Sequence, residues 1–153
     1  MATTPHNCKE PSGEFISQCD GAGCGTNIFS VDPKAMCPDA SCKIDTSKKF
    51  RFHQHFNADK THEKVASIHN KLVQGDSVFK FDSCADEEYL ATMTDTFKKG
   101  MVMTFSLWGG SHSTMEWLDG MTGCTGDCNA TTDHVTYSNF KISALPTNDI
   151  FIQ

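Results

Sequence analysis

The residue types best able to do chemistry in this sequence are histidine, cysteine and tryptophan. His53 and His55 stand two apart. On an extended strand such residues share a face, so the two imidazoles could together hold a metal ion. A complete site needs a third and a fourth ligand, and His6, His69, His112 and His134 are scattered without ligand spacing. The expectation is polar side chains on a solvated or cleft-facing side, with no metal and no other cofactor. Cysteines form two close pairs, Cys37 with Cys42 and Cys124 with Cys128. Neither has a second pair at zinc-finger spacing, and neither opens a helix as a redox pair would. Small, locally closed disulfide loops are the better reading. Asn129-Ala130-Thr131 is an acceptor triplet for N-glycosylation. Trp108 and Trp117 bracket the turn-forming stretch Gly-Gly-Ser-His-Ser-Thr. A hairpin there would bring both indoles to one region, where their flat faces suit the C–H-rich faces of sugar rings. On residue type alone, a pair of core tryptophans is the simpler account.

Composition bounds what these residues can serve. The 153 residues make one domain, and an apolar content of 38% leaves eleven Phe and seven Met to supply much of its core. Nineteen acids against thirteen bases give a net charge of −6, and Arg51 is the sole arginine. That argues against nucleic acid, which needs a cationic face. No apolar run approaches the roughly twenty residues of a membrane span. Eight cysteines point to disulfides and an oxidising, extracellular compartment. Yet Met1 to Glu10 contains no hydrophobic stretch that could act as a secretory signal.

The elements that must position these side chains are mostly strands. The first 45 residues are broken by Gly13, Gly21, Gly23, Gly25, Pro33 and Pro38, and read as loops with little regular structure. Lys48 to Phe56 is the first clear strand: Phe50, Phe52 and Phe56 point one way, Arg51, His53 and His55 the other. Val65 to Val73 and Ser77 to Phe81 follow as strands around Gly75. Asp86 to Lys99 is the one helical stretch, with acids at its start, Lys98 and Lys99 at its end, and Gly100 to stop it. Met101 to Trp108 is nearly all apolar and reads as a central strand covered on both faces; Ser113 to Leu118 and His134 to Ile142 complete the set. The fold class is mainly β with one short helix, as two sheets packed face to face.

Against this background one stretch is specific. Gly100 to Asp119, GMVMTFSLWGGSHSTMEWLD, resembles the late strands of glycoside hydrolase family 7, the cellobiohydrolases and endoglucanases that cut β-1,4-glucan. Four further blocks match in order. Thr4-Pro5-His6-Asn7-Cys8 is similar to the family's Thr-Pro-His-Pro-Cys. The run from Cys19 to Asn27 is similar to its Cys-Asp-Pro-Asp-Gly-Cys-x-x-Asn. Asp45 to Phe50 resembles Asp-Thr-Thr-Lys-Lys-Leu, and Val135 to Lys141 resembles Val-Thr-Tyr-Ser-Asn-Ile-Lys. The resemblance implies a concanavalin-like β-jelly-roll sandwich and disulfides joining Cys8 to Cys19 and Cys24 to Cys84. Cys37 with Cys42 and Cys124 with Cys128 are paired by proximity alone.

It also implies what these residues lack. The family's Glu-x-Asp-x-x-Glu, which supplies nucleophile and acid/base for retaining hydrolysis, lies just before its Thr-Pro-His-Pro-Cys. Here only Met1-Ala2-Thr3 precede that motif, and no Glu-x-Asp-x-x-Glu occurs elsewhere. Residues 1–153 are thus expected to be the C-terminal part of one family 7 domain, with no catalytic carboxylate. Glu14 stands where cellobiohydrolases carry a product-side arginine, Ala22 replaces an aspartate, and Gly109 replaces the acid after Ser-Leu-Trp. Retained are His6, expected to support the catalytic carboxylates, and Trp108 and Trp117, now expected to flank the sugar cleft. The expected function is that of a secreted cellulase-type hydrolase acting on β-1,4-glucan or cello-oligosaccharide, inactive as these 153 residues alone. The alternative is a non-catalytic carbohydrate-binding or effector-like secreted protein. Unpaired strands left by missing neighbours would favour self-association.

Overall fold

The computed structural model describes residues 1–8, 19–111 and 131–143. Its main sheet is built from β5 (Arg51–Ala58), β6 (Val65–Gln74) and β7 (Ser77–Asp82), antiparallel in that order. These are the three strands expected from the alternation of Phe, His and Lys; β5 begins three residues after the expected Lys48 and runs two past Phe56, and β6 and β7 each run one residue further. The register places Phe52 beside Leu72 and Leu72 beside Phe79, so one face is apolar. His55, His69 and Asp82 line up on the other, as do His53, Lys71 and Lys80.

The apolar face is covered by segments that carry little regular structure. Four two-residue strands, β1 (Ala2–Thr3), β2 (Thr26–Asn27), β3 (Met36–Cys37) and β4 (Ile44–Asp45), pair as β1–β2 and β3–β4. A single helical turn, α1 (Ile28–Val31), is capped by the Asn27 side chain, which accepts from the Phe29 N–H. Ile28, Ala35 and Ile44 from this region pack on Leu72, Phe79 and Phe81 of the sheet. The first 45 residues thus carry little regular structure, as expected, and they supply half of the main core. Asp45 fixes them in place. Its carboxylate accepts from the Ser47 N–H and hydroxyl and from Lys48, while its backbone exchanges two hydrogen bonds with the Gln74 side chain on β6.

The helical stretch divides into α2 (Glu87–Thr92) and α3 (Thr94–Lys99). The expected start and stop are present: Asp86 caps α2 by accepting from the Tyr89 N–H, and Gly100 ends α3 at φ +92°. The break at Met93 has a side-chain cause. Thr92 donates its hydroxyl to the Tyr89 carbonyl at 2.6 Å, and buried Thr94 accepts from the Val65 N–H of β6. The Thr92 hydroxyl competes with the helical ladder for the Tyr89 carbonyl, and Thr94 ties the start of α3 to β6. Leu90 of α2 packs with Ile68 and Cys84 in a second cluster beneath the sheet.

Two further strand expectations are corrected. Residues 101–108 and 134–142 form no ladder, and Val102 and Ile142 are 89% and 82% exposed. An apolar run becomes a covered strand only where a neighbour offers ladder partners and a face to bury against. The apolar face of the main sheet is already occupied by Ile28, Ala35, Ile44 and α2. The two segments touch each other instead, with Phe105 against Tyr137 at 4.6 Å and against Phe140 at 5.8 Å between ring centroids. Strands thus outweigh helices among the described residues, alongside three short helices rather than one, and the expected strand at 113–118 lies outside them.

Candidate functional site

The site that the structure assembles around a sequence-predicted residue is centred on His6. Residues 4–8 run as a strap beside the loop 19–25, joined to it by the Cys8–Cys19 disulfide and by the Asp20 N–H donating to the Asn7 carbonyl. The Cys24 N–H donates to the Pro5 carbonyl at 3.0 Å. Gly23 makes this approach feasible. It sits at φ +63°, and a Cβ there would lie 2.7 Å from the Pro5 carbonyl oxygen and 2.9 Å from His6 Cε1.

The His6 ring is exposed, and its Nδ1 lies 2.6 Å from the Asp20 carbonyl oxygen. A carbonyl can only accept, so Nδ1 carries the proton and Nε2 faces outward as the working atom. Neutral, that nitrogen accepts a hydrogen bond from a hydroxyl or a protonated carboxyl; charged, it donates to a carboxylate.

Tyr89 of α2 ties the strap to the body. Its hydroxyl accepts from the Asn7 N–H at 2.8 Å and lies 3.1 Å from Asp20 Oδ2, to which it donates. Asn7 Nδ2 adds a bond to Thr92 Oγ1. The N–H groups of Gly23 and Ala22, then the Tyr89 hydroxyl, hold the Asp20 carboxyl below its ordinary 3.8. Burial, reinforced by Asp20, pushes the Tyr89 phenol above its ordinary 10.0. Asp20 therefore stays ionised and acts as an anchor for the loop under His6. Neither Tyr89 nor Asn7 stands out by residue type as a support for His6. Their available signal was a hydroxyl-bearing aromatic three residues after the helix cap, and an Asn where the family motif carries Pro.

The other site residues fall elsewhere. Trp108 is 66% exposed, with Nε1 donating to Ser106 Oγ at 2.9 Å. Trp117, Asn129, Cys124 and Cys128 lie outside the described residues. Cys24–Cys84 and Cys37–Cys42 are bonded, so three disulfides join described cysteines. His53 and His55 share a face with ring centroids 6.4 Å apart. Among the described residues, no three His, Cys, Asp or Glu side chains are placed to hold a metal ion, and no helix is long and apolar enough to cross a membrane.

No family model and no solved structure matches the chain. Curated relatives do. Endoglucanase EG-1 of Trichoderma longibrachiatum is 32% identical over 166 residues, which cover 92% of this chain and 34% of its own length. An endo-beta-1,4-glucanase of Aspergillus oryzae is 30% identical across 84% of this chain and 38% of its own. Endoglucanase 1 of Pyricularia oryzae is 28% identical across 90% and 43% respectively. The chain thus spans well under half the length of the relatives it matches. Over most of its residues the chain is homologous to these fungal endoglucanases, in agreement with the resemblance of its ordered motifs to glycoside hydrolase family 7.

Proposed function

We propose that these 153 residues are the C-terminal part of a secreted, retaining β-1,4-glucanase domain of jelly-roll type, in which they hold the sugar and support the reacting carboxylates rather than supply them. The observation that carries this reading is the match to endoglucanases across 84–92% of the chain; the ordered motifs, Thr4-Pro5-His6-Asn7-Cys8 among them, support it. His6 is the supporting residue. Its Nδ1 is committed to the Asp20 carbonyl, which leaves Nε2 to bond a carboxyl group of the catalytic block and to follow its protonation through the double displacement. Trp108 and Trp117 are the sugar-stacking residues, a role that the 66% exposure of Trp108 supports.

Because Glu-x-Asp-x-x-Glu is absent from the 153 residues, hydrolysis by them alone is expected to be nil. The test is incubation of the purified chain with soluble cellohexaose, followed by product chromatography. No cleavage supports the assignment, and cellobiose or cellotriose accumulating above a buffer control overturns it. A second reading, a non-catalytic carbohydrate-binding or effector-like protein on the same fold, is favoured by cysteine closure within the chain: Cys8–Cys19, Cys24–Cys84 and Cys37–Cys42 need no partner beyond it. The genomic sequence before the Met1 codon separates the two. An in-frame Glu-x-Asp-x-x-Glu supports the enzyme, and an in-frame stop without an intron supports the binding protein.

A further inference from the structure

The outward face of the main sheet carries an arrangement of charge that neither the fold nor the His6 site explains. His53, Lys71 and Lys80 lie directly opposite one another across the three strands. Neighbouring strands are about 4.8 Å apart, and like charges directly opposite destabilise a sheet. The ion pairs among the described residues are Lys43–Asp32, Lys48–Asp45 and His69–Asp82, so Lys71 and Lys80 have none. Asp82, the one carboxylate among the strand residues of this face, is taken up by His69, whose Nδ1 lies 2.6 Å from it while Nε2 bonds Ser67 Oγ.

At one end the face opens into a depression of about 530 Å³ lined by Lys49, Phe50, Arg51, Val73, Gln74 and Gly75, without a carboxylate. Gln74 there is fixed by bonds to Asp45 and to the Lys49 carbonyl. Arg51, Lys71 and Lys80 thus share one face of a chain whose net charge is −6, and Lys49 lines the depression at its end. The register also sets Arg51, Val73 and Val78 in a row, an apolar strip between the cations.

We propose that this face binds an extended acidic polysaccharide, a polyuronate, whose carboxylates lie along Lys49, Arg51, Lys71 and Lys80 and whose ring C–H faces rest on Val73 and Val78. Bound carboxylates relieve the repulsion between Lys71 and Lys80 that the unbound sheet must bear. Ammonium groups are point charges without the planar fork of arginine, which suits single carboxylates spaced along a polymer. Preference for a polysaccharide over other polyanions rests on the proposed glucanase reading; the charge pattern does not.

The test is affinity electrophoresis and calorimetry of the full 153-residue chain with polygalacturonate, with hydroxyethyl cellulose and polyphosphate as comparators. Polygalacturonate is expected to bind and to be released by about 0.5 M salt, where screening is strong. Lys71→Gln/Lys80→Gln is expected to weaken binding about tenfold through two lost charge contacts, to leave cellohexaose binding unchanged, and to hold or raise Tm. Lys60→Gln, in the turn between β5 and β6, controls for bulk charge and should bind as the parent does. Unchanged polygalacturonate binding in the double variant, no binding by the parent, or binding of polyphosphate alone would each overturn the proposal. Loss of cellohexaose binding with polygalacturonate binding intact would instead strike the glucanase reading and leave the cationic face standing.

Discussion

Two regions of this protein supply apolar residues and differ entirely in what becomes of them. Between Met1 and Cys84, Ile28, Ala35, Ile44, Leu72, Phe79 and Phe81 form a closed core. In 101–108 and 134–142, Val102, Met103, Phe105, Tyr137, Phe140 and Ile142 are exposed. Periodicity does not separate the two, because the second region has the more strand-like sequence. Cross-linking and capping do. The first region is drawn onto the sheet by the Cys8–Cys19 and Cys24–Cys84 bonds, the Asn27 and Asp86 caps and the Asp45–Gln74 exchange. Among the described residues, no disulfide reaches the second. Burial in this chain follows the staples more closely than the alternation.

The contrast can be broken most severely at the long disulfide. Cys24→Ser/Cys84→Ser opens a bond of sequence separation 60, worth about 4 kcal/mol in the chain-entropy model. Chemical denaturation should show that loss, and the double variant should expose the first core to a hydrophobic dye. A midpoint near that of the parent would mean that the staple does not hold the core. Gly23→Ala is the next largest change. It forces a Cβ against the Pro5 carbonyl at positive φ, at a cost of about 2 kcal/mol, and should displace the His6 resonance in a two-dimensional NMR spectrum.

Acid should act on the stapled region alone. Asp20 is held below its ordinary 3.8 by the Gly23 and Ala22 N–H groups, and Asp45 is held below the same value by Lys48 and then Ser47. Carboxyls lowered in the folded state contribute stability that is complete above their unfolded value and is lost as pH falls through the folded one. Tm is therefore expected to stay level from neutrality to about pH 5 and to decline below about pH 4. Asp45→Asn should flatten that acid limb. Smallest of all, Val102→Ser removes an 89% exposed side chain, so Tm should shift by no more than about 0.5 kcal/mol in equivalent stability. Light scattering should nevertheless fall, because that exposed ribbon is the apolar surface most available for self-association.

Local pattern was enough to find β5, β6 and β7, because Phe, His and Lys alternate through a sheet with one covered face. It was also enough for the helix start at Asp86 and the stop at Gly100, whose signals are chemical and immediate. Tertiary matters escaped it. Ile28, Ala35 and Ile44 have no period to betray them, since long-range bonds rather than an element bury them. The break at Met93 follows Thr92, whose hydroxyl bonds the Tyr89 carbonyl, and Thr94 is held by a strand N–H that only the tertiary fold supplies. Of the candidate site, His6 was legible only through its motif. Its orientation depends on Gly23, Asp20 and Tyr89, which meet through a disulfide-closed strap and a helix more than eighty residues apart in the chain.

The central claim is that these residues retain the sugar-holding half of a glucanase site without its catalytic carboxylates. Titration of the 153-residue chain with cellohexaose, followed by tryptophan fluorescence and calorimetry, tests it most directly. Saturable binding that shifts the indole emission and weakens about tenfold in Trp108→Ala, from loss of a stacked ring, is the predicted result. Absence of binding, or binding at full strength in Trp108→Ala and Trp117→Ala alike, would contradict it.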